Sequence, residues 1–339
     1  MPAIGNLQLD HPFTQAALSG FSDLPMRRVA RAHGASYTVT GLALERSVLH
    51  DGDWQRRFLQ LDPVDHPVGA QLMGADPAAF GPAAARLVEA GYDVIDINFG
   101  CPAGKAFRRC EGGLLLSRPQ TAIEIVNRVV DAVGSAVPVT LKMRRGFDDS
   151  KAAERGFFSI LDAAIAAGIS AVTIHARTVR QRFAGVCDWD FIARVKARVG
   201  ALTVLGSGDL FTAEACIAML RRTGVDGVAI ARGALGNPWV FEECQALATT
   251  GKLPPPPDLD RQRRTIARHF AEAQQYYGHD HACRLMLRYI VKYSKLHPEP
   301  RRLREAFAAV SAPLEFPRML ERWYDPARHP APPHDGLDH

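Results

Sequence analysis

The chain has no Cys-x-x-Cys pair, no His-Glu-x-x-His run and no apolar stretch long enough to span a bilayer. Each absence removes a class of protein. Its six cysteines, Cys101, Cys110, Cys187, Cys216, Cys244 and Cys283, are scattered through 339 residues. That spacing argues against a disulfide framework and against a zinc site, and it predicts reduced thiols. The twelve histidines lack ligand spacing, so no structural metal is expected. A membrane helix needs about 20 mostly apolar residues, and none are found in a row. The opening residues lack the basic start and apolar centre of a secretory signal. A cytoplasmic monomer is the expectation.

Composition is that of an ordinary globular protein, 47% hydrophobic and 23% charged. The net charge of +5 is unevenly spread. Lys and Arg outnumber Asp and Glu two to one between Arg261 and Arg328, while the rest of the chain is slightly acidic. A basic C-terminal segment points to a polyanionic partner. A solvated helical surface explains the charge about equally well.

Short apolar runs alternate with helical stretches over the first 245 residues. Strands are predicted at Thr14–Leu18, Tyr37–Thr40, Val68–Leu72, Val94–Asn98, Val139–Met143, Ala171–His175, Thr203–Leu205 and Val228–Ala231. Between most of them lie alanine-rich segments that end at Gly91, Gly134, Gly168, Gly200 or Gly224. Such alternation means a parallel sheet, and eight units in about 250 residues is the size of an α/β (β/α)8 TIM barrel. A doubly wound open sheet is the alternative. It wants a glycine fingerprint after the first strand, and Ala16-Ala17-Leu18-Ser19-Gly20 does not supply one. The run Pro254–Pro257 marks a boundary. The expected domains are therefore a barrel over 1–248 and a smaller all-helical domain over 258–325. The tail at 326–339 has the composition of a segment without fixed structure.

In a barrel the carboxyl ends of all strands meet on one rim. The run Val94–Ile97 leads straight into Asn98-Phe99-Gly100-Cys101-Pro102, which presents a thiol there. Other strands end at Ser19, Glu45 beyond the second strand, Gln71, Lys142, His175, Ser207 with Asp209, and Arg232. Taken singly, each is more often a capped loop or a packed core residue. Their recurrence around the barrel favours a site. Gly206-Ser207-Gly208-Asp209 and Ala231-Arg232-Gly233-Ala234 follow the last two strands, the usual phosphate position of this fold. Gln71 and Asn98 can each donate and accept, which suits the edge of a heterocycle. Lys142 could stabilise negative charge on a reduced flavin. Phosphate, ring edge and inward lysine together suggest flavin mononucleotide (FMN).

Five blocks then carry a resemblance: Asn98-Phe99-Gly100-Cys101-Pro102; Leu141-Lys142-Met143-Arg144; His175-Ala176-Arg177-Thr178 through Gln181, Gly185, Asp188 and Trp189; Gly206-Ser207-Gly208-Asp209; and Arg232-Gly233-Ala234-Leu235-Gly236-Asn237-Pro238-Trp239. On these the chain resembles the tRNA-dihydrouridine synthases, FMN enzymes that reduce uridines in tRNA. The resemblance implies Cys101 as proton donor. It implies Ala17, Leu18, Ser19, Gln71, Asn98, Lys142, His175, Ser207, Gly208, Asp209, Ala231 and Arg232 as flavin contacts. It also implies NADPH as reductant, entering the same cleft, since the chain has no nicotinamide-nucleotide domain of its own. The chain departs from the family at Ala17-Leu18, at Ser207 where asparagine is usual, and at Ala231 where glycine is usual.

The implied chemistry needs hydride at uracil C6 from the flavin and a proton at C5 from Cys101 as general acid. The thiol must therefore hold its proton before the step. RNA contact is expected from Lys105, Arg108 and Arg109 beside the thiol, from Arg177, and from Arg284, Arg288, Lys292 and Lys295, which fall three or four apart. Tyr289 and Tyr293 lie between the last four, with core packing favoured over base stacking for Tyr289. Two other functions remain open. One is an FMN reductase of a free pyrimidine or other small molecule, similar to dihydroorotate dehydrogenases. The other is a non-catalytic RNA-binding factor. The basic C-terminal segment argues against the first and Cys101 against the second.

Overall fold

The computed structural model describes residues 1–102, 112–309, 315–325 and 327. Within the first unit, eight parallel strands close into a barrel. They are β1 (Phe13–Gln15), β2 (Thr38–Leu44), β3 (Val68–Met73), β4 (Val94–Phe99), β5 (Val139–Arg144), β6 (Ala171–His175), β7 (Thr203–Ser207) and β8 (Gly227–Ile230). Closure comes from β8 lying parallel to β1, with Val228, Ala229 and Ile230 opposite Phe13, Thr14 and Gln15. A closed sheet has no edge to protect, and its faces are covered by helices outside and side chains inside. The strands are accordingly almost continuous runs of buried residues, as at Val68–Met73 and Val94–Phe99.

Several helices end at the predicted glycines, and their starts are capped by side chains; the helix expected from Gly156 begins earlier, at Lys151. Ser150 Oγ accepts from the Ala153 N–H, and Thr212 Oγ1 accepts from the Ala215 N–H, each meeting one of the orphan donors of a helix start. Gly168 and Gly224 sit in the left-handed region, at φ +98° and +66°, where the helices Lys151–Ala167 and Ala213–Thr223 stop.

Two strand ends lie three or four residues from expectation, other ends differ by one or two, and one element is new. β1 ends at Gln15 instead of Leu18 because Ala16 N–H makes the last ladder bond, to the Ile230 carbonyl. The Leu18 N–H turns to the Ser22 hydroxyl, at 2.9 Å. Ala17, Leu18 and Ser19 thus form a loop beyond the strand. β2 runs on to Leu44, past a register shift between Val39 and Leu42. Finally, a two-stranded hairpin, Ala3–Ile4 with Leu7–Gln8, precedes the barrel. Ile4 and Leu9 pack with Tyr37, Val39, Val94 and Ala171 at the amino ends of the strands, opposite the rim that carries the polar residues.

The second unit comprises 235–239 and the residues from Pro254 onward. Its helices are Leu259–Tyr277, His279–Tyr293, Pro300–Ala308 and Glu315–Trp323. They bury Ile266, Phe270, Met286, Tyr289, Ile290, Leu303, Phe307 and Phe316. The expected boundary at 248 therefore misses one feature. Leu235–Trp239 leaves the barrel, packs with the helices, and the chain then returns to the barrel for Val240–Leu253. Gly236 makes this possible. At φ +71° it lies so close to the backbone of Lys292 and Tyr293 that a Cβ would stand 2.2 Å from a carbonyl carbon. Trp239 then meets Tyr293 edge-on, at 6.5 Å between ring centroids.

A candidate flavin and nucleotide site at the mouth of the barrel

The carboxyl ends of the strands enclose a cavity of about 870 Å³, counting its open mouth. Cys101 and all twelve residues expected to contact flavin line it: Ala17, Leu18, Ser19, Gln71, Asn98, Lys142, His175, Ser207, Gly208, Asp209, Ala231 and Arg232.

The thiol turn is built from the barrel interior outward. The N–H groups of Gly100 and Cys101 can only donate, and both point at Asn98 Oδ1, at 2.8 and 2.9 Å. Asn98 Nδ2 must then face Gln71, and it donates to Oε1 at 2.6 Å. Gln71 Nε2 in turn donates to Asp96 Oδ2 at 2.6 Å, and Thr140 Oγ1 donates to Asp96 Oδ1 at 2.7 Å. The oxygen of the Asn98 amide therefore holds the turn, while Nδ2 has a second N–H beyond the one given to Gln71. Arg144 grips the same turn from outside. Its Nε donates to the Gly100 carbonyl at 2.8 Å, and Nη1 donates to the carbonyls of Thr178 and Arg182.

Charge in the site is strongly positive and mostly dry. Burial and the neighbouring Arg144 lower the pKa of Lys142, while Asp96 below it pulls the other way. Burial, followed by the positive charges of Lys142, Arg144, Arg177 and Arg232, drives His175 down to about 2, so its imidazole is neutral. Burial also raises the Asp96 carboxyl. Burial brings the Arg144 guanidinium to about 10.

The expected phosphate end has a different support. Gly208 lies at φ +114°, where a Cβ would stand 2.5 Å from Cys187 Sγ and 2.8 Å from His175 Cδ2. Only glycine fits there. Asp209 accepts from Arg177 Nη2 with both oxygens at 2.8 Å and from the Cys187 N–H at 2.9 Å. Its carboxylate thus organises the loop. Arg232, still partly exposed, lies over the rings of Phe183 and Phe211, at 4.7 and 4.9 Å.

Of the residues expected to touch RNA, Arg177 is only 2% exposed. Its donors are taken by Asp209 and by the carbonyls of Ala184 and Gly185, so within the protein it is a buried brace. Arg284, Arg288 and Lys292 lie on the helix His279–Tyr293, and Lys295 on the single turn Ser294–Leu296 that follows. Tyr289 and Tyr293 are buried, as the packing reading has it. Lys105, Arg108 and Arg109 lie outside the described residues. Sequence reasoning missed Leu42, Arg144, Phe183, Leu210 and Phe211 as lining residues. Arg144 was within reach, because on a strand it shares a face with Lys142. Leu42 was hidden by ending the second strand too early, and the loop residues carry no periodic signal.

A closed parallel barrel with its polar residues gathered at the carboxyl rim defines a TIM-barrel enzyme. Solved structures agree on the fold. Morphinone reductase in complex with tetrahydroNAD matches with a TM-score of 0.55 at 14% identity, over 77% of this chain and 94% of that one. A 2-naphthoyl-CoA reductase complex matches with a TM-score of 0.58 at 12% identity, over 72% and 51%. The family model for dihydrouridine synthase (Dus) matches residues 14–325. tRNA-dihydrouridine synthase B of Pasteurella multocida is 33% identical over 327 residues, covering 95% of each chain. The protein of the same name from Escherichia coli K12 is 34% identical over 324 residues, covering 95% of this chain and 98% of its own. The chain belongs to the dihydrouridine synthase family and is an oxidoreductase.

Among the described residues no helix is long and apolar enough to cross a membrane, and no group of side chains is placed to hold a metal ion. The five described cysteines are free thiols.

Proposed function

We propose that this protein reduces uridines of tRNA to 5,6-dihydrouridine, with FMN in the barrel-mouth cavity, NADPH as reductant and Cys101 as proton donor. The observation that carries this reading is the thiol turn. Cys101 lines the same cavity as Lys142, His175 and Arg232, and its backbone is fixed by Asn98. The donor set suits FMN. Lys142 offers a cation to the pyrimidine edge of the ring system. Gly208 and Arg232 offer a close backbone and a cation to a phosphate. Bound there, FMN would supply the hydride needed at C6 of the uracil. Cys101 Sγ holds the proton that goes to C5. Asn98 and Arg144 keep the turn in place while it does so. His175, being neutral, offers a hydrogen bond without adding charge.

The test separates the two half-reactions. Cys101→Ala should bind FMN and accept electrons from NADPH, yet form dihydrouridine in tRNA at least about a hundredfold more slowly in a single turnover. Product formed at the wild-type rate would make Cys101 a packing residue. Wild-type protein that reduces free uracil or orotate, and leaves tRNA untouched, would favour the small-molecule reading.

A further inference from the structure

Between β6 and the helix Trp189–Val199 the chain exposes Arg182, Phe183 and Val186, and of these Phe183 lines the cavity. An exposed phenyl ring is costly to leave bare, and Phe183 is 55% exposed. It is also held in place. Arg144 Nη1 takes the Arg182 carbonyl at 2.6 Å, and Arg177 takes the carbonyls of Ala184 and Gly185 at 3.1 and 2.5 Å. Two buried arginines therefore fix the backbone on both sides of the ring. Opposite stands Phe211, 45% exposed, with the Arg232 guanidinium over both rings.

The geometry points to Phe183 as a stacking platform for a nucleobase of the RNA next to the reacting uridine. This rests on the reading of the cavity given above. The occupant follows from chemistry at the rim. Two guanidiniums lie over the Phe183 ring, Arg232 at 4.7 Å and Arg144 at 5.6 Å, and the area they leave exposed attracts a flat π system; stacked bases are sequence-tolerant ligands of such rings. The cations beside it, Arg182 and Arg232, suit the phosphates that tie one base to the next. Arg182 makes no ion pair among the described residues. A fixed backbone lowers the ordering cost of binding.

The experiment titrates an unmodified tRNA transcript into the flavin-loaded full chain at several salt concentrations. Phe183→Ala should weaken binding about tenfold without changing the salt slope, since stacking releases no counterions. Phe183→Leu should be as weak, and Phe183→Trp should restore affinity. Arg182→Ala should instead flatten the slope by about one. The ring stands at the surface, so melting temperatures should match and exclude unfolding. Wild-type affinity in Phe183→Ala, or full rescue by Leu, would overturn the platform. So would a loss confined to NADPH affinity, which would assign the ring to the dinucleotide. Dihydrouridine formation by the wild type is scored separately. Product without Phe183-dependent binding removes the platform and keeps the enzyme. Phe183-dependent binding without product does the reverse.

Discussion

Asn98 Nδ2 donates to Gln71 Oε1 at 2.6 Å, and this bond couples the thiol turn to the barrel interior. Both amides have only one workable orientation. Gly100 and Cys101 present N–H groups at one end of the chain, and Asp96 presents a carboxylate oxygen at the other.

Asn98→Ala should therefore cost kcat more than KM for tRNA. It frees the turn and leaves the Gln71 oxygen without its donor. A displacement of a few tenths of an ångström to one ångström in a reacting group is enough for a loss on the order of tenfold to a hundredfold. Asn98→Asp should not rescue it. Aspartate accepts from the turn, but it would meet Gln71 Oε1, and Gln71 cannot flip without losing Asp96. Steady-state kinetics on both variants checks this, and wild-type kcat in Asn98→Asp would refute the coupling.

Gly208→Ala should destabilise the barrel by about 1–3 kcal/mol, the usual cost of overpacking. The added methyl group has Cys187 Sγ and His175 Cδ2 in its way, and φ is +114°. Thermal unfolding followed by flavin fluorescence should show a lower midpoint together with weaker flavin retention.

Arg288 and Lys292 share one face of the helix His279–Tyr293 and belong to no part of the barrel cavity. Replacing both by Ala should weaken tRNA binding and flatten its dependence on salt by about one to two units of slope. The flavin spectrum should not move. An unchanged slope would place RNA contact elsewhere.

His269 is fully buried and its imidazole is pushed down to about 3 by desolvation. Its Nδ1 meets Tyr293 Oη at 3.0 Å, and its Nε2 has no hydrogen-bond partner among the described residues. An unfolded histidine takes up a proton near pH 6.5, whereas this one stays neutral in the fold. As pH falls below 6.5 the unfolded state gains the proton, and stability declines until the folded pKa is reached. His269→Gln should remove about one proton, or ~1.4 kcal/mol per pH unit, from the slope of stability between about pH 5.5 and 4. Urea unfolding at several pH values measures that difference. His175, pushed down to about 2, adds a second proton of the same sign in the barrel.

The eight strands, the helix stops and thirteen of the twenty residues around the cavity were legible in the chain, Ala17 and Leu18 only through the family resemblance. A parallel barrel repeats one local unit. Apolar strand, polar carboxyl end and amphipathic helix recur at short range, and closure gathers the polar ends without further instruction. What the sequence could not specify was where individual charges and rings are spent. Arg177 and Arg144 look alike as exposed cations on paper. Only long-range partners turn the first into a brace for Asp209 and the second into a clamp on Gly100. Leu235–Trp239 reads as the end of a barrel motif, yet it packs against Tyr293 because Gly236 lets two backbones approach. Phe183 carries no periodic signal, and its exposure at the rim depends on carbonyls held by nearby Arg177 and by Arg144, 38 residues from Arg182. Local pattern sets the elements because it acts within a few residues. The use of each polar or aromatic side chain is decided in the tertiary structure, because its partners lie tens of residues away and meet it only after closure.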